Sequence, residues 1–315
     1  MMDGPLRHRG SALHHGGSPV HHHRDSPLLD RTVVVTGAAR GLGAALAHEC
    51  ARRGARLALL GHEKPRLDAL AAALPVPALA FDVDVTDLTA LDAAAGEVRA
   101  RLGRPSAVVA NAGIAAAGPF ADTDPATWRR VIDVNLTGSA HTARAFLPDL
   151  IETAGYYLQV ASLASLGAVP MMSAYCASKA GVEAFAHALR AEVAHHGVAV
   201  GIAYVNWTDT DMIRDGERYA ALRELRVRMP GPAGRVDPVE VAAARLTRAA
   251  ERRCTAVYVP GWLRLAQVTR AALPPVVLRT TRHALPEPDA RQDLHATGPL
   301  GAGGRADSVT ARPEP

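Results

Sequence analysis

Seven short apolar runs recur along the chain, each followed by a stretch whose apolar positions fall at helical spacing. They are RTVVVTG from Arg31, ARLALLG from Ala55, LAFDVDV from Leu79, SAVVANAG from Ser106, YYLQVAS from Tyr156, VAVGIAYV from Val198 and TAVYVP from Thr255. Helices are predicted between them: from about Gly41 to Arg53, over PRLDALAAAL, from about Asp87 to Arg101, from about Pro125 to Thr153, around Lys179, and near 238–252. Strands that are apolar on both faces need helices on both faces. The pattern therefore predicts an α/β fold: one doubly wound Rossmann domain with a parallel sheet of about seven strands and right-handed crossovers. Residues 1–27 are rich in His, Gly, Pro, Ser and Arg without periodicity, and residues 280–315 are polar and Gly/Pro-rich. Both read as disordered tails, leaving 28–279 as the folded domain.

Composition narrows the function classes. Aromatic residues make up 4% of the 315 positions, so Ala, Val and Leu must build the core. The formal charge is +4 with scattered arginines, and no basic stripe for nucleic acid is present. No apolar run is long enough to span a bilayer, and the N-terminus lacks an apolar signal core, which predicts a cytoplasmic protein. Cys50, Cys176 and Cys254 are too few and too dispersed for a disulfide framework. His21, His22 and His23 have no Cys or carboxylate cluster beside them, so no metal site is expected.

The first strand leads into Thr36-Gly37-Ala38-Ala39-Arg40-Gly41-Leu42-Gly43. A dinucleotide pyrophosphate needs such a turn. Gly37 allows the tight bend, Gly41 lets backbone approach phosphate, and Gly43 permits close helix–strand packing. The helix start supplies free N–H groups and partial positive charge.

The TGxxxGxG spacing resembles the short-chain dehydrogenase/reductase family, and the resemblance runs in order over about residues 30–260. Asp84-Val85 resembles the family's adenine-contacting pair, and Asn111-Ala112-Gly113 its turn after the fourth strand. Asn135 in VNLTG resembles its helix asparagine, and Ser162, Tyr175 and Lys179 its catalytic serine, tyrosine and lysine. The resemblance implies an NAD(P)-dependent oxidoreductase interconverting a secondary alcohol and a ketone. Tyr175 would be the general acid or base, Ser162 would bind the reacting oxygen, and Asn135 would hold a water linking Lys179 to solvent. The contacts implied for the cofactor are Gly37, Arg40, Gly41, Leu42, Gly43, His62, Asp84, Val85, Asn111, Ala112, Gly113, Tyr175, Lys179 and Thr210.

Lys179 is one of only two lysines, with Lys64, in a chain that otherwise uses arginine. Positions i and i+4 share a helix face, so Tyr175 and Lys179 project together. A compact ammonium there is expected to lower the phenol's pKa from about 10 toward the working range. A planar guanidinium would suit this less well. Cys176, on a different face, is expected to pack.

For the cofactor, LALLGHEK places Gly61, His62 and Glu63 where NAD-preferring members commonly carry an aspartate. Arg40 and His62 would meet a 2′-phosphate, which favours NADP; Glu63 would serve NAD if the register shifts. The chain departs from the family at YVNWTDTDMI, where Val205-Asn206 replaces the usual Pro-Gly and Trp207 follows. Trp207 either walls the cavity or packs in a rebuilt loop.

Residues 213–236 fall at the family's mobile lid. Tyr219, Leu222, Leu225 and Met229 give an apolar stripe there, which suits a hydrophobic ketone or alcohol. Arg214, Arg218, Arg223, Arg226 and Arg228 would equally suit an anionic or carrier-bound substrate or a solvated face. The amphipathic segment from Trp262 reads as an interface or covering helix rather than a membrane-surface one. The resemblance implies a homodimer or homotetramer. Two alternatives stay open: a reductase of carrier-bound 3-oxoacyl groups, and a cofactor-binding regulator without turnover.

Overall fold

A computed structural model describes residues 25–229, 231–282 and 297–310. Seven strands form one parallel sheet in the order β3-β2-β1-β4-β5-β6-β7. They are β1 (Thr32–Thr36), β2 (Arg56–Gly61), β3 (Ala78–Asp82), β4 (Pro105–Ala110), β5 (Tyr156–Ser162), β6 (Ala199–Val205) and β7 (Ala256–Val259). The helices are α1 (Gly41–Arg52), α2 (Lys64–Ala73), α3 (Leu88–Leu102), α4 (Pro125–Ile132), α5 (Gly138–Glu152), α6 (Ser173–Val193), α7 (Asp211–Gly216), α8 (Ala220–Val227), α9 (Val239–Glu251), α10 (Leu263–Val268) and α11 (Leu273–Thr281). A last helix, α12 (Gly301–Thr310), follows.

Alternation along the strands builds two cores. Val33, Val35, Leu57, Leu59, Ala107 and Val109 pack toward α1 and α9 on one face. Val34, Ala58, Leu60, Val108 and Ala110 pack on the other face, the side that carries α3, α5 and α6. Every residue of β1 is buried, and each such valine contributes about 1.5–3 kcal/mol by leaving water. Strand order reverses beside β1, which pairs with β2 on one side and β4 on the other. Ligands of open α/β sheets bind at this switch point, beyond the carboxyl ends of the strands.

Two features differ from expectation. The helix predicted over Pro125–Thr153 is interrupted by a π turn at Asp133–Thr137, which carries Asn135. The segment predicted to be a disordered C-terminal tail contains the end of α11 and the whole of α12. The expectations for residues 1–24, including His21, His22 and His23, lie outside the described residues.

Candidate active site

The glycine turn is held from behind. Asn111 Nδ2 donates to the Thr36 and Gly37 carbonyls (3.0 and 3.3 Å), and Thr36 Oγ1 accepts from the Asn111 and Ala112 amides (3.1 Å each). Gly37 and Gly41 have positive φ (64° and 52°), and a Cβ on Gly37 would lie 2.8 Å from Ala112 Cα. A Cβ on Gly43 would run into the Gly37 carbonyl. Arg40 precedes α1 with extended backbone, and its side chain does not cap the helix, so no side chain caps the first N–H groups of α1.

Across the cleft, Ser162 ends β5 and Tyr175 lies in the first turn of α6. The Tyr175 phenol faces the Ser162 hydroxyl, whose influence lowers the phenol pKa, and both residues line the cleft. One turn on, Lys179 is buried; its Nζ donates to the Val160 carbonyl at 3.1 Å and stands 5.7 Å from the Tyr175 ring centroid. Asn135 is fully buried. Its Oδ1 accepts from Ile114 N (2.8 Å), and its Nδ2 donates to Ile114 O and Ser178 Oγ (2.9 Å each). Ser178 Oγ in turn donates to the Tyr175 carbonyl at 2.8 Å. Asn135 thus ties the loop after β4 to the helix bearing Tyr175.

The electrostatics correct one expectation. Burial raises the Tyr175 phenol above its ordinary value, against the lowering effect of Ser162. Burial also takes Lys179 down to about 8. Loss of water around both groups outweighs the attraction of an ammonium that points at a carbonyl rather than at the phenol oxygen.

Ser162, Tyr175, Asn206, Met212, Ile213 and Leu300 border two spaces at once. One is a cleft of about 250 Å³ that also takes in Gly37, Arg40, Gly41, Leu42, His62, Val85, Asn111, Ala112, Gly113, Lys179 and Thr210. The other is a side chamber of about 80 Å³ lined by Val169, Met172, Trp207, Leu222 and Met229. Trp207 therefore walls the chamber, with its indole N–H on Met229 Sδ at 3.3 Å. The lid consists of α7, α8 and a short 3-10 turn. Four of its arginines pair with carboxylates, Arg214 with Asp209, Arg218 with Asp215, Arg226 with Glu217 and Arg228 with Glu224, while Arg223 donates to the Glu217 carbonyl. Cys176 packs against the Val169 backbone, and burial raises its thiol pKa.

The short chain dehydrogenase family matches residues 31–219, more than half of the chain. The chain belongs to the short-chain dehydrogenase/reductase family. It is 31% identical to dehydrogenase/reductase SDR family member 7B of Bos taurus over 80% of each chain. It is 32% identical to meso-2,3-butanediol dehydrogenase of Serratia marcescens over 58% of this chain and 73% of that one. A probable oxidoreductase, EphD of Mycobacterium tuberculosis, is 36% identical over 58% of this chain, and the match spans only 32% of that protein's length. The crystal structure of gox2181 superposes with a TM-score of 0.67 at 25% identity, covering 73% of this chain and 94% of that one.

Short-chain dehydrogenases bind nicotinamide dinucleotides, and the residues here fit one. The glycine cradle has no room for side chains at Gly37 and Gly43, and no side chain caps the start of α1. Asn206, which replaces the family's glycine, donates through Nδ2 to the Ala233 and Arg235 carbonyls (3.2 Å each). Its Oδ1 is buried without a partner among the described residues, which suits a ligand carrying an N–H donor such as a carboxamide. The Val205-Asn206 departure thus anchors the lid while leaving one acceptor beside the site.

The adenosine end is more crowded than the sequence suggested. Arg40 is clasped by Glu63 (Nε to Oε2, 2.6 Å, with a second contact from Nη2) and by Asp211 at 2.8 Å. Asp84 accepts from the Thr86 amide at 2.8 Å and from Arg130 at 2.8 Å. His62 Nε2 lies 3.5 Å from Asp307 on α12. Arg40 and His62, expected to meet a 2′-phosphate, are thus already paired with carboxylates. Arg130 and Asp307 went unrecognised because they lie outside the family motifs, and Asp211, beside Thr210 in YVNWTDTDMI, was passed over as a loop residue. One signal was available: Leu300, Gly303, Gly304 and Asp307 fall at i, i+3, i+4, i+7, the spacing of one helix face.

No helix among the described residues is long and apolar enough to cross a membrane. No group of three or more potential metal ligands occurs among them either.

Proposed function

We propose that this chain is a nicotinamide-dependent oxidoreductase interconverting a secondary alcohol and a ketone, with an apolar substituent of the substrate in the side chamber. What carries it is the placement of Tyr175 and Ser162 together at the junction of the nucleotide cleft and that chamber. When bound, the nicotinamide supplies the hydride chemistry. Tyr175 gives a proton to the carbonyl oxygen, or takes one from the alcohol, at its phenol oxygen. Ser162 hydrogen-bonds the same oxygen and stabilises charge as it develops. Lys179 lies next in line as a proton relay, and a pKa of about 8 lets it exchange near neutrality. Asn135 holds the loop and α6 in register. Its Oδ1 keeps one lone pair for a water.

The side chamber, about 80 Å³ and lined by Val169, Met172, Trp207, Leu222 and Met229, favours a small apolar substrate over a carrier-bound 3-oxoacyl group. The choice between NAD and NADP turns on the adenosine end. Arg40 and His62 argue for NADP, and the carboxylates around them pull toward NAD. The cytoplasmic setting and a homodimer or homotetramer belong to the same proposal.

The test is a panel of secondary alcohols and ketones with each dinucleotide, followed by nicotinamide absorbance. Turnover of apolar ketones is expected. A protein that binds the dinucleotide tightly yet reduces or oxidises nothing would instead be a binding regulator.

A further inference from the structure

The structure assigns Asp307, carried into the cleft by α12, as a residue that selects against the 2′-phosphate of the dinucleotide. The inference rests on the proposed use of a nicotinamide dinucleotide.

α12 lies along the nucleotide cleft. At its start, Leu300 N donates to the Ala115 carbonyl at 2.7 Å, and Gly301 N donates to Asp215 Oδ2 at 2.8 Å. Arg305 adds a contact to the same carboxylate at 2.7 Å. Gly301 has φ 79°, and a Cβ there would lie 2.8 Å from Met212 Cα, so the helix meets α7 backbone to backbone. Leu300, Gly303, Gly304 and Asp307 all line the cleft. Gly303 falls where the helix passes the glycine turn, beside Arg40. The half-open cleft between α12 and the glycine turn holds only about 250 Å³. A dinucleotide bound there would lie against α12.

Asp307 is buried at the far end. Arg130 grips it with Nε (3.0 Å) and Nη2 (2.6 Å), and His62 stands 3.5 Å away. Glu63, Asp84, Asp211 and Asp307 surround Arg40, Arg130 and His62, and the more exposed Arg66 and Arg214 reach Glu63 and Asp211 from the rim, so every cation at this end already faces a carboxylate. A 2′-phosphate would add negative charge to a cluster whose cations are already engaged, whereas a ribose hydroxyl adds none. Hydrogen bonds from His62 and Arg130 hold the Asp307 carboxyl below the usual range despite burial, so it is charged at neutral pH.

The experiment titrates NADH and NADPH against the full chain by nicotinamide fluorescence. The same titrations are made on Asp307→Asn, which keeps shape and loses charge, and on Gly301→Ala, which undocks α12 without touching the cluster. The parent is expected to bind NADH at least about tenfold more tightly than NADPH. Both variants should shift that ratio toward NADPH by about tenfold, chiefly through tighter NADPH binding. An unchanged ratio in Asp307→Asn overturns the assignment. So does a parent that prefers NADPH. Equal tightening of both forms in the variants also overturns it, because α12 would then be a plug rather than a selector. A parent that binds neither form sinks the dinucleotide reading itself, a result distinct from binding with an unaltered ratio.

Discussion

The two ends of the nucleotide cleft use opposite electrostatic devices. Around Tyr175 and Lys179 there are few charges, and burial dominates: it raises the phenol and lowers the ammonium. Around Arg40, Arg130 and Asp307 charges are many and paired, and hydrogen bonds override burial to hold Asp84 and Asp307 ionised. The dry end pushes the proton affinities of the two groups apart, keeping the phenol protonated while the ammonium releases its proton near neutrality, a split that suits an acid backed by a relay. The paired end keeps its groups charged, which suits selection between ligands of different charge. The two ends should therefore respond differently to the same perturbation.

The largest effect expected after loss of the tyrosine itself is in the glycine cradle. Gly43→Ala pushes a methyl group into the Gly37 carbonyl, and dinucleotide affinity should fall by at least roughly 100-fold for both cofactor forms alike. Isothermal titration would show it. A fall confined to one form would mean that the turn reads the ribose end as well.

Next comes the buried ammonium. Lys179 titrates at about 8 in the folded chain against 10.5 ordinarily, so between those values the unfolded chain holds more protons and stability rises with pH. Below pH 8 the full cost of burying the charge is present. Lys179→Met should therefore be more stable than the parent at pH 7, by on the order of 3 kcal/mol, while losing turnover. The gain should shrink as pH rises from about 8 toward 10.5 in denaturant titrations. A variant less stable than the parent at pH 7 would show that the Val160 hydrogen bond outweighs desolvation.

The smallest effect belongs to the paired end. The hydrogen bond to Asp307 raises the His62 pKa above 6.5, with Asp84 assisting and Arg130 opposing. A raised folded-state value means that the His62–Asp307 contact contributes fully below pH 6.5 and is lost as pH rises through the folded-state pKa. Hydrogen exchange at the α12 amides should speed up by roughly two- to fivefold across that window, the worth of a part-exposed pair. His62→Gln should flatten the dependence. Exchange that is independent of pH in the parent, after correction for intrinsic rates, would mean that the imidazole does not hold α12.

What the sequence makes legible follows the same division. The seven strands are apolar on both faces, so their pattern survives any detail of packing. Tyr175, Lys179, Ser162 and Asn135 sit at fixed spacings on elements that the fold must bring together. The π turn at Asp133–Thr137 was invisible because it inserts into a helix without changing the apolar pattern. α12 was hidden by composition: Gly301, Gly303 and Gly304 each disfavour an isolated helix by about 1 kcal/mol, and only docking against α7 and Arg130 compensates. The pairing of Arg40 with Glu63 and Asp211 depends on side chains 23 and 171 positions away, a distance no local pattern spans.

The most direct test of the central claim, a half-buried phenol and a serine hydroxyl handling one proton where cleft and chamber meet, is Tyr175→Phe. The variant keeps the ring and its packing and removes one oxygen. Turnover of the best ketone should fall by about 10²–10⁴-fold, while the dissociation constant for the reduced dinucleotide stays within about twofold of the parent. Turnover equal to the parent's, with the dinucleotide bound, would contradict it.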